Sequence, residues 1–454
     1  LVLAGVWVGL AFETKMLQAW LIVPALFVTY LVAGPPGLRR RLGHVALAGG
    51  AAVVVSMSWM SLVAAVPAHD RPYVDGTTDD SVFAQVFVYN GWTRLGIHAD
   101  ADKAIQKPQP FLAASLEANP EVGTLAIKAS PDRLLVGPLG RDDGWLLPVA
   151  LLSAVGILVA RRATPRTDPI RAGAILWGCW LVILLITFSK TTPLNSYYIA
   201  ALSPAIAALS ATGLALCWRS RTSGRTSRIV LMIAVPLTTL YGIALVPGSS
   251  GVAWWLIPLA GLVCVIVEVA LFASVREPAP GDATRSAVAV AVAALSILLV
   301  PAVTTGLVVA DGLGAFSTPY QSAVANRGTT ASPEQYQSRG ASLARYYDQL
   351  QPGPGIVAVV DSAALAAPLI MVTGREFLPI GGYLGANPSP TLARLQRLVA
   401  TGQARYFLVP DLPPGSDPRA GWVRAHCQQM YSELDTTEVL LGFYDCSRRP
   451  GPDA

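Results

Sequence analysis

Long apolar stretches alternate with short polar turns along this chain, and every second turn is rich in arginine. The pattern predicts membrane-spanning helices at 19–34, 44–67, 144–160, 170–189, 196–218, 229–247, 252–275 and 286–310, with a further apolar run at 1–12. The turns at 35–43, 161–171, 219–228 and 276–285 hold thirteen arginines and no lysine. The turns between them, at 190–195 and 247–251, hold one lysine and no arginine. Basic turns stay on the cytoplasmic side of a bilayer. With 35–43 inside, the loop 68–143, the turns 190–195 and 247–251 and the C-terminus all fall outside.

Two polar regions therefore face outward. The loop 68–143 carries eleven acidic and seven basic side chains, too many for lipid. Within it, Ser81–Tyr89 reads as an amphipathic segment along the interface, while Asn90-Gly91 and Pro108-Gln109-Pro110 read as turns. The second region, 311–454, is long enough to be a domain. It opens with an extended linker over Thr318–Arg339. Strands are expected at Gly355–Asp361, Glu376–Gly382, Ala404–Pro410 and Val439–Cys446. Helices are expected at Ser362–Thr373, over TLARLQRLVATG with Ser389 as its cap and Gly402 as its stop, and at Trp422–Met430. Strands alternating with helices predict a small α/β sandwich. The whole reads as a polytopic α-helical membrane domain at 1–310 followed by an extracytoplasmic α/β domain at 311–454.

Composition supports this class. The chain is 53% hydrophobic and 13% charged, against roughly 25% charged for a soluble domain. The net charge of +5 does not argue for nucleic acid, because thirteen of the 33 basic residues lie in the four membrane-side turns. The run Leu1–Phe12 lacks the basic start and cleavage site of a signal peptide and is too short to span. The expectation is a fragment whose N-terminal part is missing. Cys179, Cys217 and Cys264 lie in apolar spans as small packed hydrophobes. Cys427 and Cys446 lie in the polar C-terminal region and, if that region is outside, form a candidate disulfide.

Several residues could carry chemistry. Lys15, next to Glu13, sits where the first apolar run reaches the outer surface. It could hold a lipid phosphate at headgroup depth or simply anchor the helix. Lys190 is the one charge of the outer turn 190–195, and Tyr197 and Tyr198 open the next span, as site groups or as an aromatic belt. Asp70 and Arg71 could orient sugar hydroxyls or phosphate, or form a solvated turn. Tyr89, Asn90, Trp92 and Arg94 combine ring faces with amide and guanidinium groups, a mixture that suits sugar recognition. Glu268, an intramembrane carboxylate, reads as a snorkelling or protonated side chain near the cytoplasmic end. There is no P-loop, no metal-spaced His/Cys cluster and no G-x-S-x-G elbow.

The strings GLAFETKMLQAW (9–20), RPYVDGTTDDSVFAQVFVYNGWTRL (71–95) and SYYIAALSPAIAAL (196–209) resemble bacterial polyprenyl-phosphate-sugar-dependent glycosyltransferases of the family 39 type. That family is related to protein O-mannosyltransferases and aminoarabinose transferases. The string GREFLPIGGYLGANPSPTLARLQRLVATGQARYFLV (374–409) is similar to the C-terminal extracytoplasmic domain of mannosyltransferases of actinobacteria and bacilli. The resemblance implies a GT-C-type membrane fold in the bacterial cytoplasmic membrane and a lipid-phosphate sugar as donor. The acceptor would be a glycan, lipid or protein on the outer face. It implies direct displacement at the anomeric carbon, with an acidic residue as base or partner of a divalent metal. Lys15 becomes a lipid-phosphate contact, and Tyr197 and Tyr198 match paired tyrosines beside the cavity. Relatives often carry His-Pro before that pair, where this chain has Asn195-Ser196. The catalytic acid is expected upstream of Leu1, so no residue here is assigned that role. Two other classes compete: a transporter of a lipid-linked glycan, and a non-catalytic scaffold that binds lipid or glycan.

Overall fold

In a computed structural model the protein is described at residues 1–67, 70, 71, 74, 77, 80–95, 128–192, 194–221, 224–276, 283–311, 318–320, 355–360, 362–382, 390–410, 417–435 and 440–447. The expected turn at 108–110, the linker beyond Tyr320 and the cap at Ser389 lie outside these residues. The chain divides into two compact units, Leu1–Ser58 with Glu121–Thr330 and Trp59–Pro120 with Ala331–Ala454.

The first unit is a helical bundle. Its helices are α1 (Val2–Lys15), α2 (Val23–Ala33), most of α3 (Leu38–Ala64), α4 (Gly137–Asp143), α5 (Leu147–Ala160), α6 (Pro169–Lys190), α7 (Ser203–Arg219), α8 (Arg225–Leu245), α9 (Ala253–Arg276) and α10 (Ala283–Ala310). Seven helical stretches among the described residues are long and apolar enough to cross a membrane. The pair α4 and α5, bent by 63°, makes an eighth if read as one broken span. This is a multi-pass helical protein. The start of α6 is written locally: Asp168 caps it by accepting from the Arg171 amide at 2.8 Å, with Pro169 behind it at the first helical position.

Val2–Ala33 satisfies length and hydropathy as one stretch of 32 residues, yet it folds back on itself. Gly5 lies against Ala48 of α3, Gly9 against Val55, and Glu13 beside Ser58, so α1 runs in the same direction as α3. Trp20 then bonds Ser56 at 3.1 Å, Phe27 lies against Gly49, and Tyr30 meets His44 at 2.6 Å, so α2 runs back along α3. A Cβ on Gly5 would come within 2.1 Å of the Ala48 carbonyl oxygen. This four-residue glycine spacing lets the two helix backbones approach. The reversal occurs after Lys15, where Met16 takes a positive φ of 50° and opens a 3₁₀ segment, Met16–Ile22.

Hydrogen bonds sort the bundle into two ends. At one end Arg166 donates to the carbonyls of Gly34, Pro35 and Pro36, joining the arginine turns 35–43 and 161–171. At the other, Arg133 donates to Phe188 and Thr191 at the end of α6. There Arg141 also bonds the Leu245 carbonyl at 3.0 Å, and Ser203 bonds Asp143 at 2.9 Å. Lys15 belongs to this second end through its contact with Tyr197 and Tyr198. The core between the ends is packed by Leu181, Leu184, Ala205 and Leu209, all fully buried.

In the second unit β1 (Ile356–Val360), β2 (Glu376–Pro379), β3 (Tyr406–Pro410), β4 (Gln428–Asp435) and β5 (Leu440–Asp445) form one sheet in the order β2-β1-β3-β5-β4. The pairs β1–β2 and β1–β3 are parallel, and β3–β5 and β4–β5 are antiparallel. The helices are α11 (Ala363–Thr373), α12 (Leu392–Ala400) and α13 (Pro418–His426). Leu369 of α11 shares a core with Val357, Ala358 and Phe443, while Leu395 of α12 and Val423 of α13 share another with Val359 and Phe407. Alternate β3 residues, and β1 from Ala358 onward, feed the two cores, which is the two-sided burial of a central strand.

Three local expectations are corrected here. The helix expected at Trp422–Met430 starts earlier and ends sooner, because Asp417 caps it and Cys427 is extended, and the following residues form strand β4. The cap of α12 is Thr391, whose hydroxyl accepts from the Arg394 amide; Pro390 disfavours helical backbone at the residue before it. Asn90-Gly91 is not a turn. It lies inside a π-helical segment, Ala84–Trp92, where the Asn90 amide donates to the Gln85 carbonyl at 3.1 Å.

Candidate functional site

The local sequence brings Lys15 to an exposed corner. Helix α1 ends there because Met16 breaks the helical backbone, and the lysine stands at the helix C-terminus, where a cation is favoured. Facing it is a second 3₁₀ segment, Ser196–Leu202, that leads into α7. Tyr197 and Tyr198 open it with their rings edge to face at 4.7 Å between centroids. The Lys15 ammonium lies 4.7 Å from one ring centroid and 4.8 Å from the other. Such contacts hold a cation without using its N–H donors. Among the described residues no carbonyl or carboxylate accepts a hydrogen bond from Lys15. Tyr197 is 39% exposed, so the pair opens to the surroundings. Asn195 donates to the Tyr197 hydroxyl at 3.3 Å.

The other expected residues fall in two groups. Glu13 is near this corner, two residues before Lys15, and accepts from Ser58 at 3.4 Å. Lys190 is the exposed last residue of α6, seven residues before Tyr197. Asp70, Arg71, Tyr89, Asn90 and Arg94 belong to the other compact unit. There Arg71 donates to the Val66 carbonyl at 2.8 Å and the Ala64 carbonyl at 3.0 Å, closing the end of α3. Its guanidinium thus serves helix carbonyls that would otherwise be unpaired. Asp70 sits in the turn that follows, its amide bonded to the Pro67 carbonyl. Arg94 stacks over Tyr89 at 5.4 Å, with Trp92 57% exposed beside them. The expected neighbours His69, Pro72 and Tyr73 lie outside the described residues.

Some polar groups were not singled out by sequence. Arg133 is 3% exposed and donates through Nε and Nη2 to the end of α6. Burial pulls its pKa below the ordinary arginine value. Asp142 and Asp143 each keep one buried oxygen without a hydrogen-bond partner among the described residues, while Asp143 also accepts from Ser203. Asp80, 5% exposed, accepts from the Val74 amide at 2.9 Å and pairs with Arg394 of α12. Only the run Arg141-Asp142-Asp143 offered a visible signal, as three charges directly before a span. Cys427 and Cys446 are joined as a disulfide that ties the start of β4 to the end of β5. Among the described residues no group of three or more His, Cys, Asp or Glu is placed to hold a metal ion.

Comparison with known proteins bears on both units. Residues 343–426 match a family described as "Putative mannosyltransferase YkcB-like, C-terminal". Over nearly the whole chain there are named relatives too. The chain is similar to two proteins of Bacillus subtilis (strain 168). It is 25% identical to "Putative mannosyltransferase YkcB" over 505 aligned residues, covering 94% of this chain and 69% of the relative. It is 23% identical to "Putative mannosyltransferase YycA", covering 94% of this chain and 71% of that protein. No solved structure matches.

Proposed function

We propose that this chain is a membrane glycosyltransferase. It moves a hexose, by its relatives' names mannose, from a polyprenyl-phosphate donor to an acceptor outside the cytoplasmic membrane. The observation that carries this reading is Lys15, held on the faces of Tyr197 and Tyr198 at the bundle end opposite the joined arginine turns. The arginine turns mark the cytoplasmic side, so the lysine corner lies at the outer headgroup level. A compact ammonium there suits a phosphate monoanion or diester.

The chemistry follows from that placement. In displacement at the anomeric carbon, the bond to the phosphate oxygen breaks as the acceptor oxygen attacks. Negative charge then grows on the departing lipid phosphate. Lys15 stabilises it, and the effect is larger at a bilayer boundary than in bulk water. Tyr197 and Tyr198 keep the ammonium in place and exclude water from one side of it. The acceptor must lose a proton, and we assign no residue of this chain to take it. A GT-C-type architecture agrees with the succession of spans and the C-terminal α/β unit. The Cys427–Cys446 disulfide supports an extracytoplasmic C-terminal unit, since such bonds persist in oxidising compartments.

The test is sugar transfer in membranes that contain the protein, with radiolabelled polyprenyl-phosphate mannose as donor. Label should move to an envelope acceptor in the wild type, and Lys15→Ala should reduce it strongly. Absence of transfer from every polyprenyl-linked sugar would refute the reading.

A further inference from the structure

Among the described residues Arg133 is the most buried arginine, at 3% exposed. The last carbonyls of any α-helix lack intrahelical partners. At the end of α6 the Phe188 carbonyl and that of the capping residue Thr191 sit on buried residues that are 3% and 7% exposed. Arg133 supplies both with donors: Nε reaches the Phe188 oxygen at 2.8 Å, and Nη2 reaches the Phe188 and Thr191 oxygens. A guanidinium fits here better than an amide would. Its planar fork spans two acceptors, and its charge faces the negative end of the α6 dipole.

The segment that carries Arg133 is itself fixed. The Leu135 carbonyl accepts from Tyr241 of α8, Arg141 bonds the end of α8 at Leu245, and Asp143 accepts from Ser203 at the start of α7. Residues 133–143 therefore fasten the ends of three helices. What leaves the Arg133 clamp is the short stretch Thr191–Ser196, of which Leu194, Asn195 and Ser196 are buried. The next two residues are Tyr197 and Tyr198. A lysine nitrogen can lie under 5 Å from two ring centroids at once only if both rings are held in place. Their backbone begins six residues after the last carbonyl Arg133 holds.

We propose that Arg133 is a positioning residue for the lipid-phosphate corner: by clamping the end of α6 it sets Tyr197 and Tyr198 against Lys15. The proposal rests on the reading of Lys15 as a phosphate contact. It assigns Arg133 no contact with substrate.

The experiment measures binding of undecaprenyl phosphate to the detergent-purified full chain by native mass spectrometry. The proteins compared are wild type, Lys15→Ala, Arg133→Met and Arg133→Lys, each with its thermal midpoint. Arg133→Met should weaken binding about tenfold, in the range seen when groups that orient a binding residue are removed. Arg133→Lys keeps the charge but lacks the planar fork that fits both carbonyls, so it should fall between Arg133→Met and wild type. If Arg133→Met yields no folded protein, Arg133→Lys carries the test. A purely structural role would lower the thermal midpoint while folded Arg133 variants bind like wild type. That result, with Lys15→Ala impaired, overturns the positioning role alone. Unimpaired binding by Lys15→Ala overturns the phosphate-contact reading beneath it.

Discussion

The two compact units treat their cations differently. In the helical unit arginines spend their donors on backbone carbonyls: Arg41 on Val32, Arg166 on Pro35 and Pro36, Arg133 on Phe188 and Thr191, Arg228 on Arg221. In the C-terminal unit they pair with carboxylates: Arg419 with Asp417 at 2.6 Å, Arg405 with Asp445 at 2.8 Å, and Arg394 with Asp80. The cause is what each fold leaves unpaired. Helix ends leave carbonyls in excess, whereas the strands and caps of the sheet unit bury acids that need a counter-charge. Arg161 with Asp168 at 3.4 Å is an ion pair in the helical unit, and Arg71 a carbonyl cap in the other. Lys15 follows neither habit. It rests on the faces of two aromatic rings, and on the proposed reading it serves as a phosphate contact rather than a helix anchor.

The comparison can be broken at several points. The largest effect is expected where a charge is paired in the interior. Arg419 and Asp417 have side chains only 6% and 10% exposed, so Arg419→Met leaves a buried carboxylate without its counter-charge and should cost about 3–5 kcal/mol. Chemical denaturation of the C-terminal unit, followed by Trp422 fluorescence, would report it; a loss under 1 kcal/mol would mean that the pair is not a structural requirement. Next comes Lys15→Ala, expected to lower kcat/KM for sugar transfer about thirtyfold, or about 2 kcal/mol, the scale of one charge-assisted contact. Tyr198→Leu should follow with a loss of about fivefold, about 1 kcal/mol for one cation–ring contact. If Tyr198→Leu matched Lys15→Ala, the tyrosine would itself contact substrate.

The smallest effect concerns pH. Burial pushes the Asp445 carboxyl up, but hydrogen bonds from Arg405 and Ser447 outweigh it and hold the pKa below the ordinary aspartate value. A carboxyl depressed in the folded state stabilises fully above its unfolded pKa, about 4. That contribution is lost as pH falls through the lower folded value. Thermal midpoints of wild type should therefore decline below about pH 4 more steeply than those of Arg405→Met. Parallel curves would show that the pair, half exposed on the arginine side, adds nothing to acid stability.

Much of the architecture was legible because hydropathy and charge act over long stretches. The spans and strands β1, β3 and β5 are each written in runs of one residue character. What escaped depended on single contacts. Strand β4 carries Gln, Ser, Glu and Asp and has no apolar run to betray it; it forms because β5 offers it an edge. The reversal between the apolar runs at 1–12 and 19–34 was expected, but the packing of Gly5 and Gly9 on α3 was not, because no local pattern states it. At the site, Lys15 and the tyrosine pair were visible as residue types at the right depth. Their mutual contact was not, since 181 residues separate Lys15 from Ser196, where the tyrosine segment begins. Arg133 was hidden because a carbonyl cap has no sequence signature.

The central claim is that the lysine corner, and not the arginine end, receives the lipid phosphate. Photo-crosslinking tests it most directly. A polyprenyl phosphate bearing a benzophenone near its phosphate would be added to membranes containing the protein, and the labelled peptides mapped by mass spectrometry. Labels in 9–20 and 196–209, reduced by Lys15→Ala, are the expected result. Labels confined to 35–43 and 161–171 would contradict the account.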